Sequence, residues 1–260
     1  MPAIVITVEQ ISMWVNDFLW IFVRIAAMFS IAPVFGSRLI PIRVRVLAAF
    51  AITLALFPVV PPVPAYDVLS ISGMLVLVQQ FVIGIAMGFV LQLMFNAATM
   101  AGEVIAMTMG LGFAQMMDPQ NGIQVPVVSQ FFVIVATLLF LAFDGHLMLV
   151  AIVGQSFLTL PIAPLNFDTT MVWSLLEWAS TMFIGAIVIA IPVVTGLLIA
   201  NLTMGVMTRS SPQLNIFAVG FPITMIAGFV LLFLVMPIFV PTFESLLTQA
   251  YVFIEELLVN

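Results

Sequence analysis

Apolar residues run in long blocks along this chain, and polar positions punctuate the blocks rather than alternate with them. Six blocks stand out, near residues 11–35, 46–60, 71–98, 127–160, 174–204 and 214–241. A helix crossing the roughly 30 Å hydrocarbon layer takes about 20 apolar residues. The pattern therefore predicts an all-α, polytopic membrane protein of about six hydrophobic helical segments arranged as hairpins. The second block ends in PVVPPVPAYD (58–67), whose four prolines cannot continue a helix. The fourth is long enough for a span plus a return, broken at Asp144-Gly145-His146. The expected count is six spans, with 147–160 re-entrant or peripheral. Pro192 is expected to kink the fifth segment, and Pro222 and Pro237 the sixth. In the tail, Phe243, Leu246, Leu247, Ala250, Ile254, Leu257 and Leu258 fall on one side of a helix. That face suits partner protein better than anionic lipid, because no basic residue accompanies it.

The polar exceptions carry the remaining information. Glu9, Ser12, Asn16, Asp17 and Arg24 follow a mostly helical spacing and put a polar stripe on the first segment. Arg24 sits deep in an apolar run, where a lone cation costs several kcal/mol unless partnered or hydrated. The stripe therefore faces either protein interior or a water-filled pore. Gly84 and Gly88 form a G-x-x-x-G that lets helices approach closely, chiefly for packing within the chain. Glu103, among alanine and methionine, is an embedded acid and so a candidate proton carrier, although it has no chain of partner groups.

Between the third and fourth blocks lies GLGFAQMMDPQNGIQVP (110–126), an irregular segment expected over 106–122. Gly110, Gly112 and Gly122 permit sharp bends. Phe113, Met116 and Met117 supply apolar bulk, and methionine repacks around many shapes. Asp118-Pro119 has the chemistry of a turn. From the residues alone, this stretch is either a rigid packing loop or an adaptable hydrophobic seal.

Composition narrows the function classes. The 260 residues are 64% hydrophobic and 6% charged, against the quarter or so charged in soluble domains. Cysteine is absent, which excludes disulfides, thiolate metal sites and a cysteine nucleophile. The net charge of −6, with arginine the only formally basic residue type, leaves no basic field for nucleic acid. One histidine, His146, has no further ligands at metal-binding spacing, and no nucleophile or phosphate-loop motif occurs. No enzyme, metal or cofactor is expected. The N-terminus lacks a basic region ahead of its apolar stretch, so no cleaved signal is expected. Arg38, Arg43 and Arg45 follow the first block and Arg209 follows the fifth. With six spans both loops share one side, which the positive-inside rule makes cytoplasmic.

Four motifs then become specific: RIAAMFSIAPVFGSRLIPIRVR (24–45), GLGFAQMMDPQNG (110–122), FLAFDGH (140–146) and SPQLNIFAVGFP (211–222). In this order they resemble the FliR family of flagellar export-gate proteins, within the wider FliR/SctT type III secretion family. The resemblance implies a subunit of the flagellar export gate in the bacterial inner membrane, at the basal body, with part of the assembly on the periplasmic side. Implied partners are FliP-, FliQ- and FlhB-like membrane subunits, an FlhA-like export component, membrane lipid, and unfolded flagellar proteins in transit. It also implies a FliP-like part over about 1–170 and a FliQ-like helical hairpin plus tail over about 171–260. The loop holding Gly110, Leu111, Gly112, Phe113, Ala114, Met116, Met117, Asp118 and Pro119 is implied to plug the closed pore. Where the family often has an acidic residue before its G-x-x-x-G, this chain has Gln80. The alternatives are an injectisome homologue and a small-molecule secondary transporter; a weaker third is an assembly factor without a pore role.

Overall fold

The computed structural model describes residues 7–37, 40–61, 63, 66, 68, 70–111, 126–163, 169–210 and 216–259. Regular structure among them is α-helix throughout: α1 (Val8–Ile31), α2 (Ile42–Leu56), α3 (Ile71–Thr108), α4 (Val127–Ala142), α5 (Gly145–Thr159), α6 (Thr169–Ser210) and α7 (Ile216–Val259). Thr7 starts α1 with a capping box: its hydroxyl accepts from the Gln10 N–H, and the Gln10 side chain accepts from the Thr7 N–H. Pro126 precedes α4 and Pro41 precedes α2, each ahead of a first turn whose N–H groups need no helical partner.

Each apolar block becomes helix, but the span count changes. Four helices are long and apolar enough to cross a membrane, or five if the bent pair α4–α5 is one span. Helix α2 drops out because its 15 residues reach only about 22 Å. The arginine pattern feels this directly: with five crossings, Arg43 and Arg209 would fall on opposite sides. They share a side with four crossings, or with six if α2 accompanies α1 into the membrane as a hairpin arm, and α1 and α2 do pack together.

Two further boundaries move. Helix α3 continues to Thr108, so residues 106–108 are helical and the irregular segment starts after them. The sixth block and the tail merge into one 44-residue helix that runs through Pro222, Pro237 and Pro241, as α6 runs through Pro192. Proline removes one N–H and crowds one carbonyl, and in apolar surroundings the rest of the helix has no better way to satisfy its backbone. At Asp144 the chain does break. Asp144 takes a left-handed conformation (φ 54°, ψ 25°), which aspartate tolerates, and separates α4 from α5. Its carbonyl still accepts from Leu147 and Met148, starting α5.

The chain forms two compact units, each sewn from separate stretches. The first contains 1–92, 144–178 and 249–260. Its core takes Trp20, Ile25 and Phe29 from α1, Ile83 and Met87 from α3, Val153 and Phe157 from α5, and Ile254 and Leu258 from α7. Asn16, its amide oriented by its neighbours, donates to the Tyr66 carbonyl (3.3 Å) and accepts from the Trp20 indole (3.2 Å). The tail is held by the Tyr251 hydroxyl, which donates to the Gly145 carbonyl at 2.6 Å, and by Trp178 stacked on Phe253 at 4.6 Å.

The second unit contains 93–143 and 179–248. Its centre is aromatic: Phe95 meets Phe140 and Phe243 edge-on at 5.8 and 5.6 Å, and Phe132 meets Phe239 at 5.0 Å. Edge-to-face geometry suits the ring quadrupoles and adds to area burial. In α6 and α7 large apolar side chains face outward, including Ile187, Leu202 and Phe233. Only 33% and 28% of their apolar windows are buried within the chain, against 56% in α3, so lipid or another protein must cover them.

Candidate functional site: the buried arginine and the root of the methionine loop

In the first unit, Arg24 is completely buried and its guanidinium ties three helices together. Nε donates to Gln80 Oε1 of α3 at 2.7 Å. Nη1 donates to the Ser156 carbonyl (2.8 Å) and Oγ (3.0 Å) of α5, and Nη2 to the Leu160 carbonyl at 2.9 Å. Phe157 lies 4.2 Å from the guanidinium carbon, giving a cation–π contact. Ser156 and Leu160 mark the last turn of α5, which carries the negative end of the macrodipole; the Ser156 carbonyl also accepts from the Leu160 N–H at 3.0 Å. Arg24 thus caps α5 from a neighbouring helix. A fixed planar fork suits four directed bonds better than a lysine ammonium would. No carboxylate joins the cluster, and Gln80 Nε2 is buried without a partner.

The glycines beside this cluster explain how it closes. A Cβ on Gly84 would collide with the Arg24 carbonyl and stand 2.9 Å from Ala27 Cβ and 3.0 Å from Met28 N. One on Gly88 would stand 2.8 Å from the Met28 carbonyl. Both glycines therefore seat the backbone of α1 on α3, next to Gln80.

Arg24 and Glu103 belong to different units. Glu103 is half-buried on α3. Beside it Gly102 meets Ser129 of α4, with room for a Cβ only 2.5 Å from Ser129 Cα.

At the end of α3 the second unit builds a firm root for the loop. Gly110 is left-handed (φ 84°). Its N–H donates to the Met107 carbonyl and the Leu111 N–H to the Ala106 carbonyl, both at 3.0 Å. This pair of bonds is a Schellman stop, which satisfies carbonyls that the helix end leaves open. Met109 is buried and packs on Gly228 of α7, where a Cβ would come within 2.5 Å of its methyl carbon. Phe221 lies 3.3 Å from the Cβ position of Gly110. Gly110 and Leu111 are thus placed, whereas Gly112, Phe113, Ala114, Met116, Met117, Asp118 and Pro119 lie outside the described residues. Gly110→Ala is expected to cost about 1–2 kcal/mol, because a left-handed alanine is strained. Thermal unfolding of the purified protein should show a midpoint lower by a few degrees, and an unchanged midpoint would contradict the placement.

Sequence reasoning missed Ser156, Leu160 and Phe157 around Arg24, and Met109, Phe221 and Gly228 around Gly110. None carried a local signal. His146 neighbours the Asp144 turn with its Nδ1 buried and unpartnered, and no group of three or more His, Cys, Asp or Glu could hold a metal among the described residues.

The profile of the family described as "Bacterial export proteins, family 1" matches residues 15–250, which takes in both the arginine cluster and the loop root. Among similar proteins, the flagellar biosynthetic protein FliR of Pectobacterium carotovorum is 40% identical over 245 residues, 94% of each chain. FliR of Escherichia coli K12 is 38% identical over 250 residues, 95% of this chain and 94% of that one. This chain belongs to the FliR family of bacterial export proteins. The distant FliR of Bacillus subtilis still shares 31% over 224 residues. Membership in the FliR family makes this a membrane-embedded component of flagellar biosynthesis and export.

Proposed function

We propose that this FliR-family chain is one subunit of the flagellar export gate. With FliP- and FliQ-like partners it encloses the channel for unfolded flagellar proteins, and its loop beyond Gly110 seals the closed pore. The observation that carries the seal is the stop at residue 110, hydrogen-bonded and anchored by the buried Met109, from which FAQMM (113–117) follows in the sequence. A hydrophobic plug excludes ions and water without a charged lock, and its methionines yield to unrelated passing chains.

Two features support a mixed assembly. Helices α3, α6 and α7 have 38, 42 and 44 residues. At 1.5 Å per residue each is about 57–66 Å long, roughly twice the hydrocarbon thickness. Much of each must then stand outside lipid or be covered by protein, in keeping with a gate in the bacterial inner membrane that extends to the periplasmic side. The outward apolar faces of α6 and α7 are the second feature, and a FliQ-like hairpin over about 171–260 would present them to neighbouring subunits. The remainder, about 1–170, takes the FliP-like place. FlhB- and FlhA-like components then hand over unfolded substrates, and the role is passage rather than catalysis.

The experiment is to delete 110–117 in the assembled complex, and separately to replace 112–117 with glycine and serine at equal length. Ion conductance across reconstituted membranes is the readout. Both variants should conduct ions at rest where the intact complex does not; an unchanged resting conductance in the equal-length variant would sink the plug, even if export failed.

A further inference from the structure

Helix α2 turns an arginine and a row of apolar side chains the same way, and neither the buried cluster nor the loop root uses that face. Inward it packs by a narrow strip: Ala49 and Thr53 are buried, and Leu56 lies 3.2 Å from the Cβ position of Gly154 in α5. Outward, Arg43, Leu47, Phe50 and Leu54 follow one another at four-, three- and four-residue intervals. At 100° per residue this spacing holds all four within about 60° of arc, a single row along the helix. All four are exposed, the three apolar ones by 67%, 45% and 54%. Beside the row, Phe50 meets Phe18 of α1 at 5.0 Å and Phe18 stacks on Phe22 at 6.0 Å, so an aromatic wall flanks it.

The charge at the head of this row has one sign. Arg38, Arg43 and Arg45 are three of the chain's five basic residues. Arg38 lies outside the described residues, and Arg45 is half-buried and donates to the Ser37 carbonyl at 3.1 Å. Arg43 is exposed, and no acidic residue stands in the first turn of α2 to neutralise it. An arginine at the end of an apolar helix face lays its methylenes along that face and lifts its guanidinium toward the headgroups. From Arg43 to Leu54 the helix rises about 16 Å. One leaflet supplies about half of the roughly 30 Å hydrocarbon layer, so the row matches one leaflet in length.

We propose that this face of α2 binds an anionic phospholipid, with the phosphate on Arg43 and one acyl chain along Leu47, Phe50 and Leu54. Two features select lipid over a partner helix. A cation heading one leaflet's length of apolar surface complements a phospholipid end to end, and a guanidinium donates to two phosphate oxygens at once. The exposed apolar side chains Val46, Phe50, Leu54, Leu47, Ala51 and Val44 also fan over about 160° of the helix. A packed helix takes a stripe of about 100°, whereas acyl chains conform to the whole arc. The proposal holds whether or not the loop beyond Gly110 seals a pore, and labelling rather than conductance decides it.

The test uses the full chain in its assembled complex, in nanodiscs of phosphatidylcholine and phosphatidylglycerol in equal parts. Each lipid in turn carries a photo-activated group on its acyl chain, and adducts are mapped by peptide mass spectrometry. Phosphatidylglycerol should label Leu47, Phe50 or Leu54 about fivefold more than phosphatidylcholine, the preference that one arginine gives beside anionic lipid. Arg43→Gln should remove that preference, and Arg43→Lys should keep most of it. Equal labelling by the two lipids, or a preference unchanged in Arg43→Gln, would overturn the proposal. So would an α2 free of lipid adducts, the result expected where a partner protein covers the face. Should Arg43→Gln fail to accumulate, the preference measured on the unsubstituted protein decides.

Discussion

Arg24→Ala is expected to destabilise the protein by on the order of 3–5 kcal/mol and to abolish recovery of a monodisperse complex. The substitution strips donors from Gln80 Oε1, the Ser156 carbonyl and hydroxyl, and the Leu160 carbonyl, all in a buried site. The Ser156 carbonyl keeps the Leu160 N–H, but each buried acceptor left open costs about 1–3 kcal/mol, and the α5 terminus also loses a charged cap. Folded proteins hold a margin of about 5–15 kcal/mol, so a large share of it disappears. Arg24→Lys should recover only part, since an ammonium cannot span α3 and α5 in one plane or lie flat on Phe157. Gln80→Glu should be tolerated or favourable, because it offers the guanidinium a carboxylate where Gln80 now offers one amide oxygen. Thermal midpoints and gel-filtration profiles of these variants give the check. A fully stable, export-competent Arg24→Met protein would show that the cluster is incidental.

Gly84→Val is the second large effect. The added atoms meet the Arg24 carbonyl, Ala27 Cβ and Met28 N, which are backbone or backbone-proximal atoms of α1 and cannot rotate away. Only a separation of α1 from α3 relieves them, and overpacking of this kind costs about 1–3 kcal/mol or more. The separation also lengthens the Arg24–Gln80 bond, since both helices carry one partner of it. Gly84→Val and Arg24→Ala should therefore be strongly non-additive in a double mutant, the signature of residues sharing one contact. Gly205→Ala serves as the control: nothing lies within 4 Å of that Cβ position, and alanine is the better helix former by about 0.5–1 kcal/mol. Equal midpoints for Gly84→Val and the unsubstituted protein would refute the close seating of α1.

Some of this was legible without coordinates, because burial of backbone in lipid leaves a strong mark on composition. Every apolar block became helix, the break at Asp144 appeared where an Asp-Gly pair interrupts two greasy runs, and all seven apolar residues marked in the tail are buried, although within this chain and not on a partner protein as their face suggested. Helix ends were read less well. The sixth block was bounded near 241 and the tail read apart from it, yet α7 runs on through Pro222, Pro237 and Pro241, because propensities measured in water lose force where no water competes for the backbone. Helix α2 was counted as a span although its apolar block, like the helix itself, is short. The arginine cluster shows the other limit. Arg24 was conspicuous as a charge in an apolar run, but Gln80, Ser156 and Leu160 lie 56, 132 and 136 residues away, beyond any local periodicity. Gly110 stood out as a bend, whereas its clamp, Met109 against Gly228, involves two residue types common throughout the chain.

The interleaving of the two units bears on how the protein is made. The first unit opens with the N-terminal helix and closes with residues 249–260, and the second is finished at Thr248. During synthesis, the later-starting half can therefore mature before the earlier one, which waits for residues 249–260 to leave the ribosome. Messages truncated near their 3′ end should yield polypeptides whose opening helix lacks its last companions, and cellular proteases would meet them there first.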